Sequence, residues 1–250
     1  MTPSFEVKDR AVVVTGGSSG IGLRFVQAYL EAGAKVVAVS RSAGPLTDLA
    51  SEYPHKLVHI AADLSDLSVT QALSNQLIAA FGTVDILVNA AGINPRKNST
   101  DLSLDEWNMT LNLNLTAPFI LAKDLSVAMR ERGWGRVINI ASLQTERAFA
   151  NGIAYGATKG GVGQLTRAMA EEWSSSGVCV NAIGPGFFPT SLTQKVFENS
   201  DLVDKLAAQT CIGRNGALDD LVGPLLFLSS PASDYVTGQI LYVDGGFTAK

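Results

Sequence analysis

Residues 10–22 read Arg10-Ala-Val-Val-Val-Thr-Gly-Gly-Ser-Ser-Gly-Ile-Gly22, and this stretch decides the fold. Its β-branched apolar run, 10–15, suits a parallel strand covered on both faces, where apolar and polar residues no longer alternate. A glycine-rich loop follows without a gap, then a helical pattern to Leu30 that Gly33 ends. A second run, Lys35-Val-Val-Ala-Val-Ser40, closes the unit. Strand, glycine loop, helix and strand within about 30 residues is the context that a dinucleotide site requires. Glycines let the backbone approach a pyrophosphate, and the helix N-terminus favours its charge. Gly16, Ser18, Ser19, Gly20, Ile21 and Gly22 are therefore candidate cofactor-binding residues.

The same rhythm continues outward. Apolar runs at 56–61, 84–88, 136–141, 178–183 and 239–243 predict five more strands. Helical patterns lie between them at 66–81, at 106–129 with Pro118 inside, from 155 to 173, and at 217–229. Strands alternating with helices predict an α/β fold around a parallel sheet. The chain has 250 residues, 46% hydrophobic and 17% charged, enough for one domain with a sizeable core. A net charge of −4 argues against a nucleic-acid binder. No apolar run approaches the roughly 18 residues of a membrane span. Two cysteines without metal spacing and two histidines argue against a metal site. With no basic-then-apolar N-terminal layout, the expectation is a soluble, cytoplasmic protein.

A second stretch carries the chemistry. Residues 139–161 read Asn-Ile-Ala-Ser-Leu-Gln-Thr-Glu-Arg-Ala-Phe-Ala-Asn-Gly-Ile-Ala-Tyr-Gly-Ala-Thr-Lys-Gly-Gly. Tyr155 and Lys159 stand at i and i+4, on one face of a helix. An ammonium beside a phenol favours the phenolate, so the Tyr155 pKa is expected to fall. A phenol so tuned passes a proton to or from a substrate oxygen, which the Ser142 hydroxyl would hold. The plainer alternative is an exposed Tyr/Lys pair.

The pattern T-G-x-x-x-G-x-G at 15–22 resembles the short-chain dehydrogenase/reductase family. Further matches are Asn89-Ala90-Ala91-Gly92 to N-x-A-G, 185–190 to P-G-x-x-x-T, and Ser142 with Tyr155-x-x-x-Lys159. The resemblance runs from Val12 to Gly246. It implies a single Rossmann-type domain over 1–250, with a doubly wound seven-stranded parallel sheet of order 3-2-1-4-5-6-7. It also implies a catalytic tetrad of Asn114, Ser142, Tyr155 and Lys159. Asn114, preceding Leu-Thr-Ala-Pro-Phe, is preferred to Asn112 and would hold a water linking Lys159 to solvent. Lys159 would also hold the nicotinamide ribose. Asp63 and Leu64 would meet the adenine edge, although Asp63 or Ser65 is equally a helix cap. Asn89 would support the sheet, and Ala90 to Gly92 would leave room for a flat cofactor. Pro185, Gly186, Phe188 and Thr190 would be cofactor-binding, with Thr190 and the backbone near Phe188 on the nicotinamide carboxamide; an ordinary proline turn with Thr190 as N-cap is the alternative. Gly184 departs from the alanine usual there, with no functional consequence expected. Relatives commonly form homotetramers through the helices near 106–130 and 155–173 and the last strand.

The end of the second strand, where an acid would hold the ribose hydroxyls of NAD, reads Ser40-Arg41-Ser42. An arginine there suits a 2′-phosphate, so NADP(H) is preferred, with NAD(H) the alternative and Arg41 as a solvated charge the plain reading. The polar segment 187–212 is read as a substrate lid. Segments 94–97, 143–151 and 187–198 should line the pocket and carry Arg96, Lys97, Gln144, Arg147, Asn151 and Lys195. These donors suggest a polyhydroxy or anionic small-molecule substrate, with Ser142, Gln144, Arg147, Asn151 and Tyr155 as its contacts. The segments around Ser142 and Phe187 resemble gluconate 5-dehydrogenases, and the framework also resembles 3-oxoacyl-carrier-protein reductases. General carbonyl reduction is a further alternative. A silent dinucleotide sensor would be expected to lack Ser142, Tyr155 or Lys159, and all three are present.

Overall fold

In the computed structural model, which describes residues 4–250, the chain winds outward in both directions from β1 (Ala11–Thr15). Next come α1 (Gly20–Glu31), β2 (Lys35–Ser40), α2 (Leu46–Glu52), β3 (Leu57–Ala61), α3 (Leu67–Phe81) and β4 (Ile86–Asn89). The middle of the chain gives α4 (Leu104–Leu111), α5 (Ala117–Glu131), β5 (Gly135–Ile140), α6 (Ile153–Trp173) and β6 (Val178–Pro185). The last part holds α7 (Gln194–Phe197), α8 (Ser200–Gln209), α9 (Val222–Ser229) and β7 (Ile240–Val243).

All strands run parallel in the order β3-β2-β1-β4-β5-β6-β7, as the resemblance implies. The order reverses between β1 and β4, so their following loops diverge and leave a crevice at the carboxyl edge. Register brings Thr15 opposite Val39 on one side and Asn89 on the other.

Successive β1 side chains face opposite layers. Val12 and Val14 pack with Phe25 and Tyr29 of α1 and with Leu225 and Leu228 of α9. Val13 packs with Leu73 and Leu77 of α3, Leu121 and Leu125 of α5, and Met169 and Trp173 of α6. A third, smaller cluster joins Leu143, Val196, Leu206 and Phe247 beneath α7 and α8. That cluster includes Phe247, and the partly buried Tyr242 packs against it.

Three differences from the sequence expectation have physical causes. The helix expected over 106–129 is two helices joined by a π-helical turn, Asn112–Thr116. Pro118 has no N–H to give the Asn114 carbonyl, and its ring crowds that oxygen, so the helical ladder widens there. The short α2 was not anticipated, because it buries only Leu46 and shows no apolar stripe. Neither Asp63 nor Ser65 caps α3. Asp66 does, accepting from the backbone N–H groups of Ser68 and Val69.

Gly184 lies in register with Tyr242 on β7. A Cβ at 184 would stand 2.6 Å from Cδ1 of that ring, so the departure from alanine is matched by an aromatic neighbour.

Candidate active site

The glycine loop sits at the carboxyl edge because only glycine fits there. Gly16 adopts φ +68°, and a Cβ on it would lie 2.9 Å from the Ala91 Cα. A Cβ on Gly22 would overlap the Gly16 carbonyl oxygen. Thr15 Oγ1 accepts from the N–H groups of Ala90 (3.0 Å) and Ala91 (3.1 Å), tying the end of β4 to the loop. At the start of α1, Ser19 makes no side-chain cap and the first turn holds no acid. The open N–H groups of that turn are therefore free for an anion, which suits a diphosphate.

A cavity of about 530 Å³ runs along this edge. Gly16, Ser19, Gly20, Ile21 and Gly22 line it, as do Ala90, Ala91 and Gly92. Ser142, Tyr155 and Lys159 line it too, together with Pro185, Gly186, Phe188 and Thr190. Thr190 closes toward the glycine loop, within 3.3 Å of where a Gly20 Cβ would be.

Tyr155 and Lys159 project from α6 into this space. Glycines bring that helix close: Gly161 abuts Leu115 of the π turn and Gly163 abuts Thr145, where a Cβ would come within 2.9 and 2.7 Å respectively. Lys159 Nζ donates to the Ile140 carbonyl at 2.5 Å and lies 5.5 Å from the Tyr155 ring centroid. The expected fall in the Tyr155 pKa is not found. Burial pushes the phenol up, while the Ser142 hydroxyl and the Arg96 charge draw it down. Burial pulls Lys159 down to about 8. Spacing placed the two groups together, but desolvation opposes the charged form of each.

Asn114 is buried in the π turn and does not line the cavity. Its amide donates to the Ile93 carbonyl (2.9 Å) and Thr158 Oγ1 (3.2 Å), and its oxygen accepts from the Ile93 N–H (2.9 Å). Both amide hydrogens are thus spent on holding the loop after β4 to α6. Asn89 is likewise buried, donating to Asn139 Oδ1 at 2.9 Å. Asn139 continues that chain to Thr166 of α6 at 3.0 Å.

At the far end of β2, Ser40 Oγ donates to the Ser42 carbonyl (2.9 Å) and meets His59 Nε2 at 3.0 Å. His59 was not singled out in the sequence; an alternate position on a neighbouring strand is its only signal. Arg41 is exposed beside Asp63, whose carboxyl is held below the usual range by the Ser65 hydroxyl and N–H, then by Arg41. Ser18, Arg41, Asp63 and Leu64 lie outside the cavity proper, and Leu64 is buried.

Of the expected substrate contacts, Ser142, Gln144, Asn151 and Tyr155 line the cavity. Gly152 makes room for Gln144, because a Cβ there would overlap the Gln144 amide oxygen. Arg147 does not line it: the guanidinium donates to the carbonyls of Lys250 (2.7 Å) and Thr248 (3.5 Å), over the Phe247 ring. Asn94 and Arg96 line it instead. Among the described residues no group of three or more His, Cys, Asp or Glu side chains could hold a metal, and no helix is long and apolar enough to cross a membrane.

A family model described as enoyl-(acyl carrier protein) reductase matches residues 16–248. Gluconate 5-dehydrogenase of Gluconobacter oxydans is 35% identical over 249 residues, covering 98% of this chain and 97% of that protein. The chain belongs to the short-chain dehydrogenase/reductase family. As a short-chain dehydrogenase/reductase it is an oxidoreductase of alcohol and carbonyl carbons. It is also similar to 2-dehydro-3-deoxy-D-gluconate 5-dehydrogenase of Bacillus subtilis, at 36% identity over 99% of this chain and 98% of that one. Its fold is similar to the crystal structure of a gluconate 5-dehydrogenase from Burkholderia cenocepacia in complex with NADP and tartrate, with a TM-score of 0.92, 35% identity and 98% of each chain covered.

Proposed function

We propose that this chain interconverts a secondary alcohol and a ketone on a sugar acid, using NADP(H). One observation carries the reading: a single cavity joins the glycine loop to Ser142, Tyr155 and Lys159. A bound nicotinamide cofactor supplies the hydride chemistry, and the chain supplies position and charge. Gly16, Ser18 to Gly22 and the open turn of α1 hold the diphosphate. Ala90 to Gly92, Pro185, Gly186, Phe188 and Thr190 flank the nicotinamide end. Ser40 and Arg41 hold the 2′-phosphate, and no acid at the end of β2 would repel it. Asp63 and Leu64 border the adenine.

Tyr155 gives its proton to the carbonyl oxygen, and the Ser142 hydroxyl steadies the charge that develops there. Burial keeps the resting phenol protonated, as a general acid must be. Lys159, its pKa near 8, exchanges protons readily at neutral pH. Asn114 positions the relay beside it by fixing the π turn against α6. Asn89 supports the sheet beneath. Gln144 and Asn151 meet substrate hydroxyls. Segment 187–212, seated on the Leu143, Val196, Leu206 and Phe247 cluster, is the lid of this domain.

The relatives support the substrate class, since those named above act on gluconate or a deoxygluconate by name. The cavity supports it too. Its lining includes no Asp or Glu but two cations, Arg96 and Lys159, in a chain of net charge −4. A carrier-protein reductase is the second reading, favoured by the family model's description, although an acidic chain is a poor surface for an acidic carrier. Purified enzyme with NADPH is expected to reduce 5-ketogluconate with kcat/KM at least tenfold above that for an acetoacetyl thioester. The reverse order would replace the first reading by the second.

The cytoplasm is the proposed location, and a homotetramer the proposed assembly. Its faces would include Leu104 and Met109 of α4 and Phe119 and Val127 of α5, all apolar and exposed in the single chain.

A further inference from the structure

The segment after β7 ties together two parts of the chain that share no direct hydrogen bond. Among the described residues none joins 143–151, which follows Ser142, to 187–212, the proposed lid. Gly245 and Gly246 take φ of +64° and +78°, a left-handed turn that residues with a side chain rarely adopt. The turn also leaves no room for one: a Cβ at 245 would stand 2.9 Å from Ile212 Cγ1, and one at 246 would stand 2.7 Å from Cys211 Sγ. The Gly245 carbonyl accepts from the N–H groups of Cys211 (2.7 Å) and Ile212 (3.2 Å). Asp244 fixes the turn, accepting from the Gly246 N–H (2.9 Å) and from the Thr248 N–H (2.9 Å) and hydroxyl (2.7 Å).

That turn delivers Phe247 to the buried cluster it shares with Leu143, Val196 and Leu206. The Phe247 ring centroid lies 6.4 Å from that of Phe149 and 5.8 Å from that of Phe187, and both of those residues line the cavity. Arg147 fastens the same segment. Its guanidinium lies over the Phe247 ring, 5.6 Å from the centroid, and donates to the carbonyls of Thr248 and Lys250. Lys250 Nζ in turn donates to the carbonyls of Ala208 (3.4 Å) and Thr210 (3.0 Å) at the end of α8, where helix carbonyls lack partners of their own. Residues 244–250 thus hold Arg147 on one side and the end of α8 on the other.

We propose that residues 244–250 form a strap that holds the lid to the segment after Ser142, with Arg147 as its positioning residue. Arg147 acts through Phe247, whose place among Leu143, Val196 and Leu206 sets the spacing between the two segments. A planar guanidinium suits this task, because it stacks on a ring while its N–H groups bond carbonyls. The glycine loop is no part of the cluster, so loosening the strap weakens the hold on the ketone far more than the hold on the dinucleotide. This inference rests on the reading above of the cavity as a ketone site.

The test compares wild type with Arg147→Gln, Arg147→Lys and Phe247→Leu in two assays. Amide hydrogen exchange on the free protein needs no substrate and reads the strap directly. Arg147→Gln is expected to speed exchange about tenfold in peptides from 143–151 and 194–209 and to leave α3 unchanged. Arg147→Lys recovers part of the protection, and Phe247→Leu repeats the two-segment pattern. Unchanged exchange at 194–209, or faster exchange in α3 as well, overturns the strap. In NADPH oxidation with 5-ketogluconate, Arg147→Gln is expected to raise the ketone KM about 5- to 20-fold, with kcat and the NADPH KM each within about threefold. An unchanged ketone KM, or equal rises in both KM values, overturns the positioning role. A wild type without turnover on this ketone sinks the substrate reading alone, and the exchange pattern then decides the strap.

Discussion

Lys159 shows how one side chain can be legible in position and illegible in state. Its spacing from Tyr155 set both on one helix face, which the structure keeps. Spacing holds no information about solvent, however, and burial moves the phenol up and the amine down. The consequence for stability has a definite sign. In the unfolded chain the amine protonates below about 10.4. In the folded protein it protonates near 8. Below pH 8 the folded state bears the full penalty of a buried ammonium, and the penalty is relieved as pH rises from 8 toward 10. Lys159→Met is therefore expected to be more stable than wild type at pH 7, by on the order of 1–3 kcal/mol. That advantage should shrink between pH 8 and 10 in urea titrations. A pH-independent difference would show that burial does not set this amine.

Arg147 and Arg96 teach the same lesson for surface cations. Both lie in segments that the sequence points to, and only tertiary contacts decide which one faces the cavity. Asn114 was found through its segment, and its hydrogen bonds tie the loop after β4 to α6. Asn114→Ala leaves the Ile93 N–H and carbonyl and the Thr158 hydroxyl without their partner. A loss of about 2–4 kcal/mol is expected in chemical denaturation. A loss under 0.5 kcal/mol would mean that the loop after β4 is held by other contacts.

At the scale of elements, the strands were read nearly to the residue because buried parallel strands write themselves as unbroken β-branched runs. Helices were read less well. The 112–116 π turn is a response to one proline, and a periodicity argument runs straight through it. α2 has too little buried surface to leave a pattern. Gly184 and Tyr242 show a coupling between β6 and β7 that no single position announces. Gly184→Ala is expected to cost about 1–3 kcal/mol because its Cβ overlaps the Tyr242 ring. In a double-mutant cycle with Tyr242→Leu most of that cost should disappear. Additive costs would show that the ring is not what requires glycine there.

For the whole molecule, the order of the sheet explains why chemistry gathers at one edge. Reversal between β1 and β4 opens the crevice, and β5 and α6 then deliver Ser142, Tyr155 and Lys159 to its rim. The glycine loop and the side chains proposed to react come from distant parts of the chain, yet one sheet edge aligns them. The proposed tetramer would cover the exposed apolar residues of α4 and α5. Light scattering is expected to give four times the 26.3 kDa chain, and Phe119→Asp with Val127→Asp to give a smaller species. A monomeric wild type would contradict the tetramer.

In the proposed ketone–alcohol interconversion, the buried Tyr155 phenol, in one cavity with Ser142, Lys159 and the glycine loop, passes the proton. The most direct measurement is kcat for NADPH oxidation with saturating 5-ketogluconate, comparing wild type with Tyr155→Phe of unchanged circular dichroism. The expected result is a fall of at least about a hundredfold. A variant turning over within about threefold of an active wild type would contradict it.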